Sequence, residues 1–234
     1  MRRPEALVLE DNPRELEEVV AIVSACGLDA FGTRSPRQAI RWLTARDDTS
    51  RGQGSGTSAV ARPTSHLFHS PVLAVVDWNM EYSPDDVPTA EEVLRALARV
   101  HRDAVTVVYG TGVGIDLRLQ NRIADHHPGA ITHDKRHGSV SLITRLRNLM
   151  MRTVGDLQVD AGFVVHESTG RRYPHEVAVK LLLAHPRPVY VERGTGSYQA
   201  LWRFMRWLAK GHSNVSVVAQ GRGFHRLEVG PEAD

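Results

Sequence analysis

The stretch Leu73–Tyr82, LAVVDWNMEY, decides the fold. With Val72 before it, an uninterrupted apolar run reaches Val76 and stops on a carboxylate, Asp77. A strand that is apolar on both faces belongs in the middle of a parallel sheet covered by helices on either side. A carboxylate closing such a strand does not serve packing. In open parallel sheets, the space outside the carboxyl ends of the strands is where working residues collect.

Other segments fit the same frame. EALVLE, residues 5–10, reads as a first strand ending in Glu10-Asp11. Asn12 can cap, and Pro13 suits the first turn of a helix, with Leu16, Val19, Val20 and Val23 repeating at helical spacing up to Cys26-Gly27. Leu28–Phe31 is a second strand, and Ser35-Pro36 opens a second helix with Ala39, Ile40 and Leu43 inward. Thr89 caps a helix whose inner face is Val93, Leu94, Leu97 and Val100. Ala104–Tyr109 is a fourth strand, 115–124 a short helix, Ala130–Thr132 a fifth strand, and 139–151 a helix with Val140, Ile143, Leu146 and Met150 inward. Strands alternating with helices predict right-handed β-α-β units and an open parallel sheet of five strands with helices on both faces. Between Asp47 and Ser70 the pattern vanishes into a Gly/Ser/Thr/Pro-rich stretch, so 47–70 is expected to be a flexible insertion.

The bulk numbers narrow the class. With 234 residues the chain can hold two ordinary domains. It has no apolar run long enough for a membrane span, and its start turns acidic too early for a signal peptide, so a cytoplasmic protein is expected. A single cysteine, Cys26, excludes an internal disulfide framework and a cysteine-rich zinc site. The twelve histidines fit no standard zinc spacing. Charge is unevenly spread. Residues 1–152 carry 19 basic and 19 acidic side chains, whereas 171–226 carry 10 basic ones against Glu176 and Glu192. A neutral module joined to a basic one that touches a polyanion is the expectation.

Glu10, Asp11 and Asp77 would gather three carboxylates at one sheet edge, with Lys135 at the end of the fifth strand. Three like charges need compensation, and a hard divalent cation such as Mg²⁺ supplies it. A carboxylate beside such a cation and an ammonium can attack a phosphoryl donor.

This layout resembles the receiver domain of bacterial two-component response regulators over residues 5–150, on the motifs LVLEDN, VVDWNM and GAITHDK. The resemblance implies that Asp77 is the phosphoacceptor, that Glu10, Asp11, Asp77 and the backbone carbonyl of Asn79 hold Mg²⁺, and that Lys135 contacts the phosphoryl group. It also implies a sensor histidine kinase as partner, dimerisation through the receiver, and no turnover enzyme. Four positions depart from the pattern. Tyr109-Gly110 stands where a Ser or Thr usually follows the fourth strand, with Thr111 one residue late. Arg136 replaces the proline after the lysine, Glu81 stands where a proline often follows the acceptor, and Thr132 or His133 takes the aromatic switch position. Haloacid-dehalogenase-like phosphatases also use a strand-end Asp. They require a second Asp two residues later, where Asn79 stands.

After Met151 the texture changes. LQVDAGFVVHESTGRRYPH alternates apolar and polar residues like short antiparallel strands. Glu176–His185 is an apolar helix that stops at HPRP. Residues 197–210, SYQALWRFMRWLAK, form a helix with Leu201, Phe204, Met205 and Leu208 inward and Gln199, Trp202, Arg203 and Arg206 outward. VSVVAQGRGFHRLEV reads as a hairpin turning near Asn214 or around Gly221-Arg222-Gly223. These features resemble the winged-helix DNA-binding domain of OmpR/PhoP-type regulators, here a small α+β unit over 155–230. The resemblance implies that Gln199, Trp202, Arg203 and Arg206 face double-stranded DNA and that Arg222 on the wing reaches phosphate or minor groove. Between Val191 and Ser197 stands only ERGTG, where that family has another helix. The sequence thus points to a transcriptional response regulator over two domains, 1–150 and 155–230. A receiver-containing adaptor that binds protein through its basic unit is the competing class.

Overall fold

The computed structural model describes residues 4–44, 71–80, 89–101, 103–191 and 193–231. The expected insertion at 47–70 and residues 81–88, including Glu81, lie outside the described residues.

Five parallel strands, β1 (Glu5–Leu9), β2 (Asp29–Thr33), β3 (Leu73–Asp77), β4 (Val105–Gly110) and β5 (Ile131–Asp134), form one sheet in the order β2-β1-β3-β4-β5. Between them run α1 (Pro13–Ala25), α2 (Pro36–Thr44), α3 (Ala90–Val100), α4 (Leu117–His126) and, after a 3-10 turn at Lys135–His137, α5 (Gly138–Met150). Strand residues alternate between two cores. Ala6, Val8, Val75 and Val107 pack with Val19, Val23, Leu142 and Leu146 of α1 and α5. Leu7, Leu9, Ala74, Val76 and Val108 pack with Ala39, Leu43, Val93, Leu94, Leu97 and Ile123 of α2, α3 and α4. Every residue of β1, β3 and β4 is buried, which is why these strands read as continuous apolar runs.

Two inward assignments are corrected. Val140 is 74% exposed, because α5 buries Leu142, Leu146 and Met150 at i, i+4 and i+8 and Val140 lies off that stripe. Val100 is 46% exposed; it is the last residue of α3, and the buried face ends at Leu97.

The second half of the chain begins with a four-stranded antiparallel sheet of β6 (Thr153–Val154), β7 (Leu157–Asp160), β8 (Phe163–His166) and β9 (Arg172–Tyr173). Then come α6 (Glu176–Ala184), β10 (Val189–Tyr190), α7 (Gly196–Gly211) and the strands β11 (Val215–Ala219) and β12 (Phe224–Val229). The last sheet is ordered β10-β12-β11, and its hairpin turns at Gly221-Arg222-Gly223. Helix α6 is buried from Val177 to Ala184, as a helix apolar all round must be. It packs against α7, β7, β8 and β12.

The two halves share one core, running from Ala6 and Val8 through Met150 to Leu157, Leu181 and Phe204. They meet at the amino-terminal ends of the parallel strands. Gly27, with φ +83°, lies so close to the Ala161 backbone that any Cβ there would collide with it. Lys180 of α6 reaches Asp103, just before β4, at 3.3 Å, with both side chains nearly inaccessible. The opposite, carboxyl-terminal ends of the strands carry the acidic groups.

Candidate functional site

One step beyond the paired residues Leu9 and Val76, the first and third strands deliver Glu10 and Asp77 side by side. Glu10 is fully buried and Asp77 is 1% exposed. Asp11 follows on the turn into α1, where Asn12 caps the helix by accepting from the Arg14 N–H. One carboxylate oxygen from each of Glu10, Asp11 and Asp77 lies within 4.8 Å of the others. The helix after β3 begins only at Ala90, so Asp77 is not its cap. Its Oδ1 instead accepts from the Asn79 N–H at 3.0 Å, which fixes the turn.

Lys135 enters from the end of β5. Its Nζ donates to Glu10 Oε2 and Asp77 Oδ2, each at 3.0 Å, and to Glu15 Oε2 at 2.9 Å. Tyr109, opposite Asp77 in the β3–β4 ladder, donates its hydroxyl to the same Glu10 Oε2. The Asn12 N–H donates to Glu10 Oε1 at 3.0 Å. Glu15 is the site residue that sequence reasoning missed; Tyr109 stood at a strand end where working residues collect, but its bond to Glu10 was not foreseen. Tyr109 looks like strand core until its register beside Asp77 is known. Glu15 looks like a favourable first-turn helix acid until the turn at Asn12 aims it back over the sheet edge.

Burial dominates the electrostatics. It pushes the Glu10 carboxyl up to about 7, against the lowering effect of the Tyr109 hydrogen bond, with the Asp77 charge pushing the same way. Burial also raises Asp77, partly offset by the Lys135 ammonium. For Lys135 burial works against the charge, but Glu15, Asp77 and Glu10 outweigh it and hold the ammonium above its ordinary range. Burial and the Glu10 carboxylate hold the Tyr109 phenol protonated well beyond its ordinary range. Three carboxylates contact one ammonium, with Asp11 beside them, and leave a negative excess at a partly buried sheet edge. The donors are all hard oxygens, so the chemistry of the set fits Mg²⁺.

The remaining positions fall as follows. Thr111 is exposed on the turn beyond β4 and makes no side-chain hydrogen bond among the described residues. Gly110 stands where a hydroxyl residue was expected, and a Cβ there would collide with Asn79 Oδ1, so the Asn79 side chain fills that space. Arg136 grips Asp134 through Nε at 2.9 Å and Nη2 at 2.6 Å, which pulls the Asp134 carboxyl well below the usual range and leaves it outside the acidic cluster.

At the far end of the molecule, Gln199, Trp202, Arg203 and Arg206 are exposed along α7. With Tyr198 they line an open concavity of about 410 Å³. Tyr190, Arg193, Arg222 and Gly223 line a second, of about 430 Å³. Tyr198 meets His225 of β12 edge-on at 6.4 Å, joining helix to hairpin. Arg222 sits at the hairpin tip with φ +43°, between two positive-φ glycines. Trp207 belongs inside, against Phe204 at 5.8 Å and Tyr173 at 5.7 Å. Strand β10 ends at Tyr190 and α7 begins at Gly196, and among the described residues no helix lies between them.

The strand order 2-1-3-4-5 with helices on both faces matches the receiver, CheY-like fold. The first half of the chain has that fold. Among solved structures, the chain is similar to a signal receiver domain of an HD-domain protein from Pseudomonas fluorescens, at 15% identity, 62% of this chain, 93% of that one and a TM-score of 0.43. It is similar also to a CheY-like receiver from Methanospirillum hungatei, at 12%, 62%, 91% and 0.42. A third is the receiver of a histidine kinase from Syntrophus aciditrophicus, at 20%, 64%, 95% and 0.40. Identities and scores this low carry no functional weight, and the fold rests on the strand order. No family model and no curated protein matches the chain. No helix among the described residues is long and apolar enough to cross a membrane.

Proposed function

We propose that the chain is a two-component response regulator whose Asp77 accepts a phosphoryl group and whose basic second half, a shortened winged helix, binds duplex DNA. The observation that carries this reading is the clustering of Glu10, Asp11 and Asp77 at the carboxyl edge of the sheet, with Lys135 bonded to Glu10 and Asp77. Glu10, Asp11 and Asp77, with the Asn79 carbonyl, would hold Mg²⁺, which supplies positive charge to the oxygens of the donor. An Asp77 oxygen forms the bond to phosphorus as the donor's leaving group departs with its electron pair. Lys135 neutralises the transferred oxygens. Asp77 is then a stoichiometric acceptor and the chain is not a turnover enzyme. A sensor histidine kinase supplies the phosphoryl group, and the receiver half pairs two copies.

Four arginines, Arg193, Arg203, Arg206 and Arg222, support the output assignment. Among the described residues none of them pairs with a carboxylate. Arginine forks suit phosphates and guanine edges. In this reading α7 enters the major groove with Gln199, Trp202, Arg203 and Arg206, while Arg222 reaches the backbone from the hairpin tip. Selection of bound genomic fragments, with and without a small phosphodonor, tests output and switching together. Salt-dependent binding that Arg203→Ala with Arg206→Ala abolishes is expected. Binding that is absent or indifferent to salt contradicts DNA output and favours a protein-binding adaptor.

A further inference from the structure

Tyr109 is the part of the acidic pocket that phosphoryl transfer does not use. Its ring is buried at the end of β4, and its hydroxyl donates to Glu10 Oε2, the oxygen that also accepts from Lys135. The Lys135 ammonium sits 4.7 Å from the centre of the ring, a cation–π distance, so the same side chain holds both partners. All three Lys135 protons are already engaged, by Glu10, Asp77 and Glu15. With the Asn12 N–H on Oε1, three donors occupy the Glu10 carboxylate, which offers about four acceptor directions. The chain's own donors thus take up most of the Glu10 acceptor directions, for which a divalent cation would have to compete. A Ser or Thr at the end of β4 could not do this, because a short hydroxyl there does not span to the first strand.

We propose that Tyr109 is a positioning residue that sets the divalent-cation affinity of the pocket. Its hydroxyl and the cation compete for Glu10, so the pocket stays closed until the cation displaces the phenol. Displacement loosens Glu10 from Lys135 and leaves the ammonium on Asp77 and Glu15, which it already contacts. This rests on the reading of Glu10, Asp11 and Asp77 as a cation pocket.

The test is titration of Mg²⁺ at pH 8 into the full chain and into Tyr109→Phe. Binding is followed by calorimetry and by the tryptophan fluorescence of the chain, to which Trp78 beside Asp77 contributes. The phenylalanine variant is expected to bind about tenfold more tightly, the scale of one hydrogen bond to a charged group. In the natural chain, Mg²⁺ should also shift the tyrosine ultraviolet absorption as the hydroxyl leaves Glu10, and Tyr109→Phe should lack that shift. Equal or weaker binding by the variant overturns the competition while leaving the cation pocket standing. If the variant does not fold, the tyrosine band of the natural chain decides alone, and no shift at saturating Mg²⁺ overturns the proposal. Failure of both chains to take up Mg²⁺ sinks the cation pocket and the competition together.

Discussion

The chain has three lysines, and two of them sit at opposite ends of one parallel sheet. Lys135, at the carboxyl ends of the strands, faces Glu10, Glu15 and Asp77, more negative charge than it can neutralise. Lys180, at the amino ends, reaches from α6 to Asp103 across the seam between the two halves. Both pairs are largely out of water. The first carries an excess charge that a proton on Glu10 or a further cation can balance, which marks a place for chemistry. The second joins two packed units and sits beside a continuous apolar core, which marks a structural contact.

Breaking the seam should have the largest effect. Lys180→Ala leaves Asp103 buried without this partner, and a loss of about 3–5 kcal/mol in unfolding free energy is expected by denaturant titration. Lys180→Met combined with Asp103→Leu should recover most of it. If the single variant costs nothing, the seam is not a stabilising contact.

The two ends should also respond to pH in opposite senses. In the pocket, Glu10 holds its proton to about pH 7 in the folded chain but only to about 4.5 unfolded. Its contribution is therefore fully present below 4.5 and is lost as pH rises through 7, a loss on the order of 1–3 kcal/mol. At the seam, burial lowers His101 and His127, with the Lys180 and Arg187 charges acting the same way. Their contribution is present above the ordinary 6.5 and is lost as pH falls below it. Thermal melts across pH 5–8 should show Glu10→Gln flattening the alkaline side and His127→Gln the acid side. Mg²⁺ should restore stability only on the alkaline side. A shared response to both substitutions contradicts the division.

Smaller effects sharpen the picture. Arg222→Gly removes a side chain from a left-handed backbone position and should raise stability by up to about 1 kcal/mol in melts while weakening DNA retention. Val140→Ser should change stability by less than about 0.5 kcal/mol, since Val140 faces solvent.

How far the sequence reached follows from what each element shows locally. Strands β1, β3 and β4 are buried on both faces, so their apolar runs and the carboxylates closing the first and third were legible. The spacing of α5 revealed a helix but not its rotation. Ile143, Leu146 and Met150 read as one stripe with Val140, whereas the buried row is Leu142, Leu146 and Met150. Glu15 was illegible as a site residue, and so was the bond from Tyr109 to Glu10, because both depend on register between elements far apart in the chain. The hairpin left two turn positions open, and two positive-φ glycines flanking Arg222 decide for the second. That no helix lies between β10 and α7 among the described residues was legible in ERGTG, since so short a stretch leaves no room for one.

The most direct measurement is exposure of the full chain to Mg²⁺ and a small phosphodonor, followed by peptide mass mapping. A single phosphoryl group on the peptide carrying Asp77 is expected, dependent on Mg²⁺ and absent in Asp77→Asn. An unlabelled natural chain that still binds Mg²⁺, or a label that persists in Asp77→Asn, contradicts the assignment of Asp77 as phosphoacceptor.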